Sequence, residues 1–327
     1  MRQLFLVLIS LSLLNIYSCD DGDIITVELD FEETFEACEG VTGLIFYKTK
    51  DDPSESLSLK ITGLTLDDIL EVDEETKIYE EDIDISATNP FNYRTYSNTT
   101  ISDKLLFCND VPLSDVTITQ DIESTSGTAK IKTTLTEDDD DGVPAELEDI
   151  NGNGDLEDDD TDEDGIPDYL DVDDDGDNVL TKDENPDPNN DGDISDAQNS
   201  DFDHELATNS EVIPDYLDKD DDGDGVPTRD EENKTQDQIP TNDKSSTCMV
   251  DGKEEDCPDY LNPAVSTSVP ATKYREGIHT VLQTYTVTLT ISNFDLTLIS
   301  LDVFDFGILE DSKLTTTATR TPEFKPY

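Results

Sequence analysis

The sequence predicts a mainly β protein: an antiparallel, sandwich-like β domain built from both ends of the chain, with an irregular acidic segment inserted into it. Three observations carry this reading. On both flanks apolar and polar residues alternate, as at Leu57, Leu59 and Ile61 and again at Val287, Leu289 and Ile291, the period of half-buried strands. Acidic residues crowd instead between Glu137 and Asp259, in a chain of 327 residues with a formal charge of −62. Within that crowd a motif returns: IPDYLDVDDDGDNV (Ile166–Val179), IPDYLDKDDDGDGV (Ile213–Val226) and the shorter CPDYLN (Cys257–Asn262). Drift in a low-complexity tract does not hold Pro, Tyr, Leu and Gly at fixed offsets, so a structural unit is being repeated.

The charge excludes one class of partner at once. A chain this acidic repels phosphates, so nucleic acid is not its ligand, and an anionic leaflet does not attract it electrostatically. Such self-repulsion requires either cations or segregation of the acidic segment for a compact fold.

Taken in order, residues 1–18 form a signal segment. Arg2 supplies the positive start, and Leu4–Leu14 (LFLVLISLSLL) is apolar but too short to span a bilayer. The following NIYSC resembles a bacterial lipobox, which implies cleavage before Cys19 and a lipid on it, hence a membrane partner through that lipid. Residues 19–23, CDDGD, resemble the acidic export tag of surface lipoproteins of the Bacteroidota, which implies an outer-membrane lipoprotein displayed at the cell surface.

From 24 to 136 the chain reads as strands. Ile25, Val27, Leu29 and Phe31 alternate with polar residues, as do Leu57–Ile61 and then Ala129, Ile131, Thr133 and Leu135; DDPSE and TNP mark turns, and TLDDILEV a short helix. Residues 264–327 add alternation from Tyr285 to Ile291 and an apolar run over Phe294–Leu309. Two or three strands do not make a stable domain alone, so they are expected to complete the N-terminal sheet. Of the five cysteines, removing Cys19 leaves two pairs, Cys38–Cys108 and Cys248–Cys257, with buried free thiols as the alternative for the first.

The repeat at 137–263 carries the chemistry. Calcium takes six to eight oxygens, and the loop of an EF-hand supplies them from positions 1, 3, 5, 7 (carbonyl), 9 and 12 around a Gly at 6. Asp160, Asp162 and Asp164 fall at 1, 3 and 5, with Gly165, Ile166, Asp168 and Asp171 behind. Asp149, Asn151, Asn153, Asp155, Glu157 and Asp160 form the loop before it. Asp173, Asp175, Asp177, Val179, Thr181 and Glu184 form the loop after it, and Asp220, Asp222, Asp224, Val226, Thr228 and Glu231 a further one. A leading loop runs Glu137, Asp139, Asp141, Gly142 and Glu148, and a weaker one runs from Asp187 to Gln198, which lacks the closing carboxylate. Pro at position 8 (Pro144, Pro167, Pro227) and the absence of flanking amphipathic helices distinguish these from EF-hands. Adjacent loops also share residues, Asp160 closing one and opening the next.

Residues 137–262 thus resemble thrombospondin type-3 repeats, aspartate-rich calcium rods. The resemblance implies several Ca²⁺ ions along a stiff spacer, with affinities on the order of 10⁻⁴–10⁻³ M as in other extracellular modules. The pattern lapses at ATNSEVIPDYLD, where Ala207 and Val212 stand at positions 1 and 6, and again before Cys257. Tyr169, Leu170, Tyr216, Leu217, Tyr260 and Leu261 are expected to pack between loops.

Catalysis finds no motif. The two histidines, His204 and His279, sit in no nucleophile or zinc pattern. FNYRTYS (Phe91–Ser97) gathers aromatics around Arg94, for which strand packing is the simpler role. The chain is therefore read as a non-enzymatic adhesion, scaffold or stalk protein with an unknown extracellular protein or glycan as partner. A glycan-binding accessory lipoprotein of a polysaccharide-uptake system and a hydrolase with an unrecognised site in the β domain are the alternatives.

Overall fold

Side chains that alternate in sequence alternate in burial. Along β7 (Thr128–Asp138) Ala129, Ile131 and Thr133 are fully buried, and along β10 (Thr280–Ser292) Val287, Leu289 and Ile291 are. The computed structural model describes residues 29–100, 103–109, 115–200, 213–250, 253–277, 279–296 and 302–326. The protein is mainly β and divides into two compact units. The first comprises the described residues up to Thr134 together with Thr286–Asp311; the second comprises Leu135–Tyr285 and Ser312–Tyr327.

The first unit contains β1 (Thr34–Gly40), β2 (Gly43–Asp51), β3 (Ser54–Thr62), β4 (Ile78–Asp84), β5 (Phe91–Tyr96), β6 (Ile118–Ser124) and β11 (Val303–Leu309). Together with β7 and β10 they hydrogen-bond in the order β4-β7-β10-β11-β1-β2-β3-β5-β6. Thr288 Oγ1 donates to the Lys132 carbonyl and Ser292 Oγ to that of Thr128, so β7 and β10 run in opposite directions. Strands from both ends of the chain therefore share one sheet system. The DDPSE turn closes the β2–β3 hairpin, where Asp51 pairs with Ser54. A short helix, α1 (Leu66–Leu70), starts at TLDDILEV with a capping box between Thr65 and Asp68. A second, α2 (Asp103–Phe107), precedes Cys108.

The sandwich turns on β1. Thr34 and Phe35 pair parallel with Ile308 and Leu309 of β11, and Glu36–Gly40 then pair antiparallel with β2. That parallel pair corrects the expectation of a purely antiparallel sheet. Most of the chain separates β1 from β11, so no hairpin dictates their direction. Phe35 meets Phe46 and Phe306 edge-on at 5.3 Å, and Phe91 meets Phe294 at 5.5 Å and Phe306 at 6.2 Å. These rings are the core between the faces. Phe91, Tyr93 and Tyr96 are buried, while Arg94 pairs with Asp121, so the FNYRTYS aromatics pack the sheet.

The strand expected over Ile25–Phe31 differs from what is found. Leu29–Phe31 are irregular, with Phe31 beneath the Lys50 ammonium at 4.9 Å, and Ile25 and Val27 lie outside the described residues. Cys19 and the segment before it lie there too. Cys38 and Cys108 form a disulfide across 70 residues, with Cα atoms 5.3 Å apart. Cys257 is disulfide-bonded as well. It lies on β9 (Lys253–Cys257), which pairs with β8 (Ser246–Val250); the side chain of Cys248 is outside the described residues.

Gly307 fixes the β1 crossing. Its φ is +102°, and a Cβ there would lie 1.8 Å from the Glu33 carbonyl oxygen, which accepts from Ile308 N. Gly307→Ala combines a left-handed backbone with a clash, so we expect a loss of about 3 kcal/mol. Urea denaturation should show this as a lower midpoint for the first unit.

Candidate metal centres

In the second unit the acidic loops close by recurring contacts. The carboxylate at position 1 accepts the amides four and five residues on: Asp160 those of Asp164 and Gly165, and Asp173 those of Asp177 and Asn178, all at 3.1 Å. Asp149 and Asp187 do the same in their own loops. Gly165 (φ +94°) and Asn178 (φ +74°) provide the left-handed turn. Position 9 then ties the loop shut. The amides of Asp168, Thr181 and Thr228 donate to the carbonyls of Asp159, Val172 and Lys219. Their side chains accept the position-2 amides of Thr161, Asp174 and Asp221. Asp168, Thr181 and Thr228, expected as ligands, thus serve to close the loops.

Positions 3 and 5 spend one oxygen on this framework and keep the other. Oδ1 of Asp139, Asp141, Asp175, Asp177 and Asp224 each accepts the amide two residues on. Oδ2 of each is buried without a hydrogen-bond partner. The closing glutamates Glu148 and Glu184 have both oxygens in that state. Unpaired buried charge is costly, so these oxygens ask for a cation.

The described residues hold four candidate centres, each with its carboxylate oxygens within 4.8 Å of one another, and three of the four contain such unpartnered oxygens. The two most buried share one design. Asp139, Asp141 and Glu148 are joined by Asp174; Asp175, Asp177 and Glu184 are joined by Asp221. Each takes positions 3, 5 and 12 of one loop and position 2 of a different loop. Asp174 and Asp221 have both carboxylate oxygens buried and unpartnered. The sequence reading missed them, although runs of three aspartates (173–175 and 220–222) mark both. The other two centres, Asp160-Asp162-Asp164 and Asp220-Asp222-Asp224, draw on a single loop and are less buried. An all-carboxylate donor set with oxygens this far apart fits Ca²⁺ at 2.3–2.6 Å better than Mg²⁺, which keeps its waters.

The remaining expected ligands are placed elsewhere. Glu137 accepts from Gln283 and Arg320, outside the Asp139 centre. Asp171 faces His279 Nδ1 at 3.1 Å; Asp162 stays within its centre although its Oδ2 also accepts from Tyr274 at 2.6 Å. Glu231, which closes the Asp220 loop, is buried with both oxygens unpartnered, and after burial the charges of Asp222, Asp224 and Asp220 help push it up to about 9. The loop of Asp149, Asn151, Asn153, Asp155, Glu157 and Asp160 is largely exposed. Its two asparagine amides donate to Asp158 and Asp159, and Glu157 accepts from Tyr169. Ile166 and Val179 are buried and Val226 is half-buried. Tyr169, Tyr216 and Tyr260 are buried, and Tyr169 and Leu170 pack with Ile166 and Val281, so they fill space between loops.

Burial governs the electrostatics. It pushes Glu148 up to about 9, with Asp141 and Asp138 adding repulsion, and Asp164 up to about 7, with Asp171 and Asp162 adding to it. Asp174, Asp175, Glu184 and Asp221 are raised for the same reason. Without a cation the folded chain therefore binds protons that the unfolded chain, with ordinary values of 3.8 and 4.5, has released. That stability is full below about pH 4 and is lost as pH rises through 7 to 9. A cation replaces those protons, so its affinity should fall as pH drops. In calcium-free buffer the second unit should stay folded to a higher temperature at pH 5 than at pH 8, where loss of the ion is expected to abolish its transition. Calcium titrations at pH 8 and pH 6 should differ in affinity by about tenfold or more.

One unit carries most of the strands and the other the acidic loops, whose buried carboxylate clusters could hold metal ions. Among known families, a model described as BamM_C, BamM C-terminal, matches residues 138–206, less than half of the chain. No curated protein and no solved structure matches.

Proposed function

We propose that this chain is a surface-anchored, non-enzymatic lipoprotein whose acidic unit is held in shape by several calcium ions and acts as a stiff adhesion, scaffold or stalk module. One observation carries the reading: of the four places where carboxylates gather, three hold buried oxygens without a hydrogen-bond partner, beside carboxylates that have already organised the turns. A catalytic pair would need a cleft open to substrate, whereas these groups are enclosed by their own loops. The similarity of residues 138–206 to the BamM C-terminal family supports a place in the outer membrane. In this reading the lipid on Cys19 anchors the chain, Asp20–Asp23 direct it outward, and the partner is an extracellular protein or glycan.

Anchoring is tested separately from calcium. Cys19→Ala should move the protein from the detergent phase to the aqueous phase, because no acyl chain is then attached. Unchanged partitioning would remove the lipoprotein reading and leave the metal centres untouched.

A further inference from the structure

Basic groups are scarce in this chain, 20 Lys and Arg against 82 Asp and Glu, yet several line one cavity of about 280 Å³ in the second unit. Lys273, Arg275, His279 and Arg320 border it together with the rings of Tyr274 and Phe324. Glu276 is the one carboxylate in the lining, and it is paired with Lys273 at 2.7 Å.

The walls are fixed in place. Arg229, 2% exposed, donates to the Gly176 and Lys325 carbonyls and lies 5.7 Å from the Tyr274 ring and 5.1 Å from that of Phe324. The two rings meet edge-on at 5.1 Å. β12 (Thr315–Thr319) pairs with β10, and just beyond it Arg320 N donates to the His279 carbonyl, setting these two side by side. Two nitrogens are nevertheless left over: Arg320 Nε and His279 Nε2 are buried without a hydrogen-bond partner, and His279 is 4% exposed. Nδ1 of His279 faces the Asp171 carboxylate at 3.1 Å, which leaves Nε2 as the ring nitrogen without a protein partner. The cavity lining thus combines guanidinium donors for a carboxylate, an imidazole nitrogen that can hydrogen-bond a hydroxyl and an aromatic wall for a ring face.

We propose that this cavity binds a carboxylate carried on a polyhydroxylated ring, one hexuronate residue of an acidic glycan. Its volume suits a single sugar and not an extended chain. A neutral sugar would bring no anion to the Arg275 guanidinium or to the Nε of Arg320, which is the basis of discrimination.

The test is isothermal titration of the full chain, saturated in calcium, with glucuronate, galacturonate and the matching neutral hexoses. A hexuronate should bind at least tenfold more tightly than its hexose. Arg275→Gln and Arg320→Gln should each weaken it at least tenfold. Arg320 also holds Glu137, so its variant is read only if its melting curve matches the parent; Arg275→Gln, whose side chain carries no such duty, stands as the second variant. No hexuronate binding, equal binding of hexose and hexuronate, or unchanged affinity in Arg275→Gln would overturn the proposal.

Discussion

Chelating calcium with EGTA should abolish the cooperative melting transition of the second unit while the first unit keeps its own. Ligand linkage stabilises by RT ln(1 + [L]/Kd), about 2.7 kcal/mol per site at a hundredfold excess over Kd. With four centres the summed effect rivals the total stability of a typical domain, about 5–15 kcal/mol. Removal also leaves behind carboxylates that repel one another in dry surroundings, such as Asp175, Asp177, Glu184 and Asp221, each no more than 3% exposed. The first unit has its phenylalanine core and the Cys38–Cys108 disulfide, neither of which needs an ion. Two calorimetric transitions in calcium should become one in chelator. A second unit that melts unchanged in EGTA would mean that protonation alone satisfies the clusters.

Asp221→Ala should weaken an ion held by a different loop. Its carboxylate belongs with Asp175, Asp177 and Glu184, while its own loop presents Asp220, Asp222 and Asp224 to another centre. We expect about a hundredfold loss at the Asp175 centre, equal to about 2.7 kcal/mol, and near-parent affinity at the Asp220 centre. Nuclear magnetic resonance titration would separate the two through the amides of Val179 and Val226, which donate to Asp177 and Asp224 respectively. A loss confined to Val226 would mean that each loop binds alone. Asp160→Ala provides the contrast, because its carboxylate belongs to one centre, with Asp162 and Asp164.

Much of this was legible in the sequence, and for identifiable reasons. Period-two runs at Leu57–Ile61 and Ala129–Leu135 became β3 and β7, because sheet burial repeats every second residue. Positions 3 and 5 of the acidic loops recur in all four candidate centres for a similar reason: a turn of fixed length aims the same positions inward. Pairing between distant segments was not legible. Nothing in the alternation of Val303–Leu309 says that β1 joins it, or that it does so in parallel. Asp174 and Asp221 were missed because position 2 points away from its own loop, so its contribution appears only when two loops are seen together. At Asp168, Thr181 and Thr228 spacing does not separate the two roles, because a side-chain oxygen at position 9 can serve an ion or the position-2 amide, which it accepts here.

The most direct test is a count of bound calcium by equilibrium dialysis on the full chain, parent and Asp174→Ala/Asp221→Ala. Four or more ions per chain in the parent, falling by two in the double variant while the first unit still melts normally, is the predicted result. No bound calcium at millimolar concentration, or the same count in both proteins, would contradict the claim that these buried carboxylates are cation centres assembled between loops.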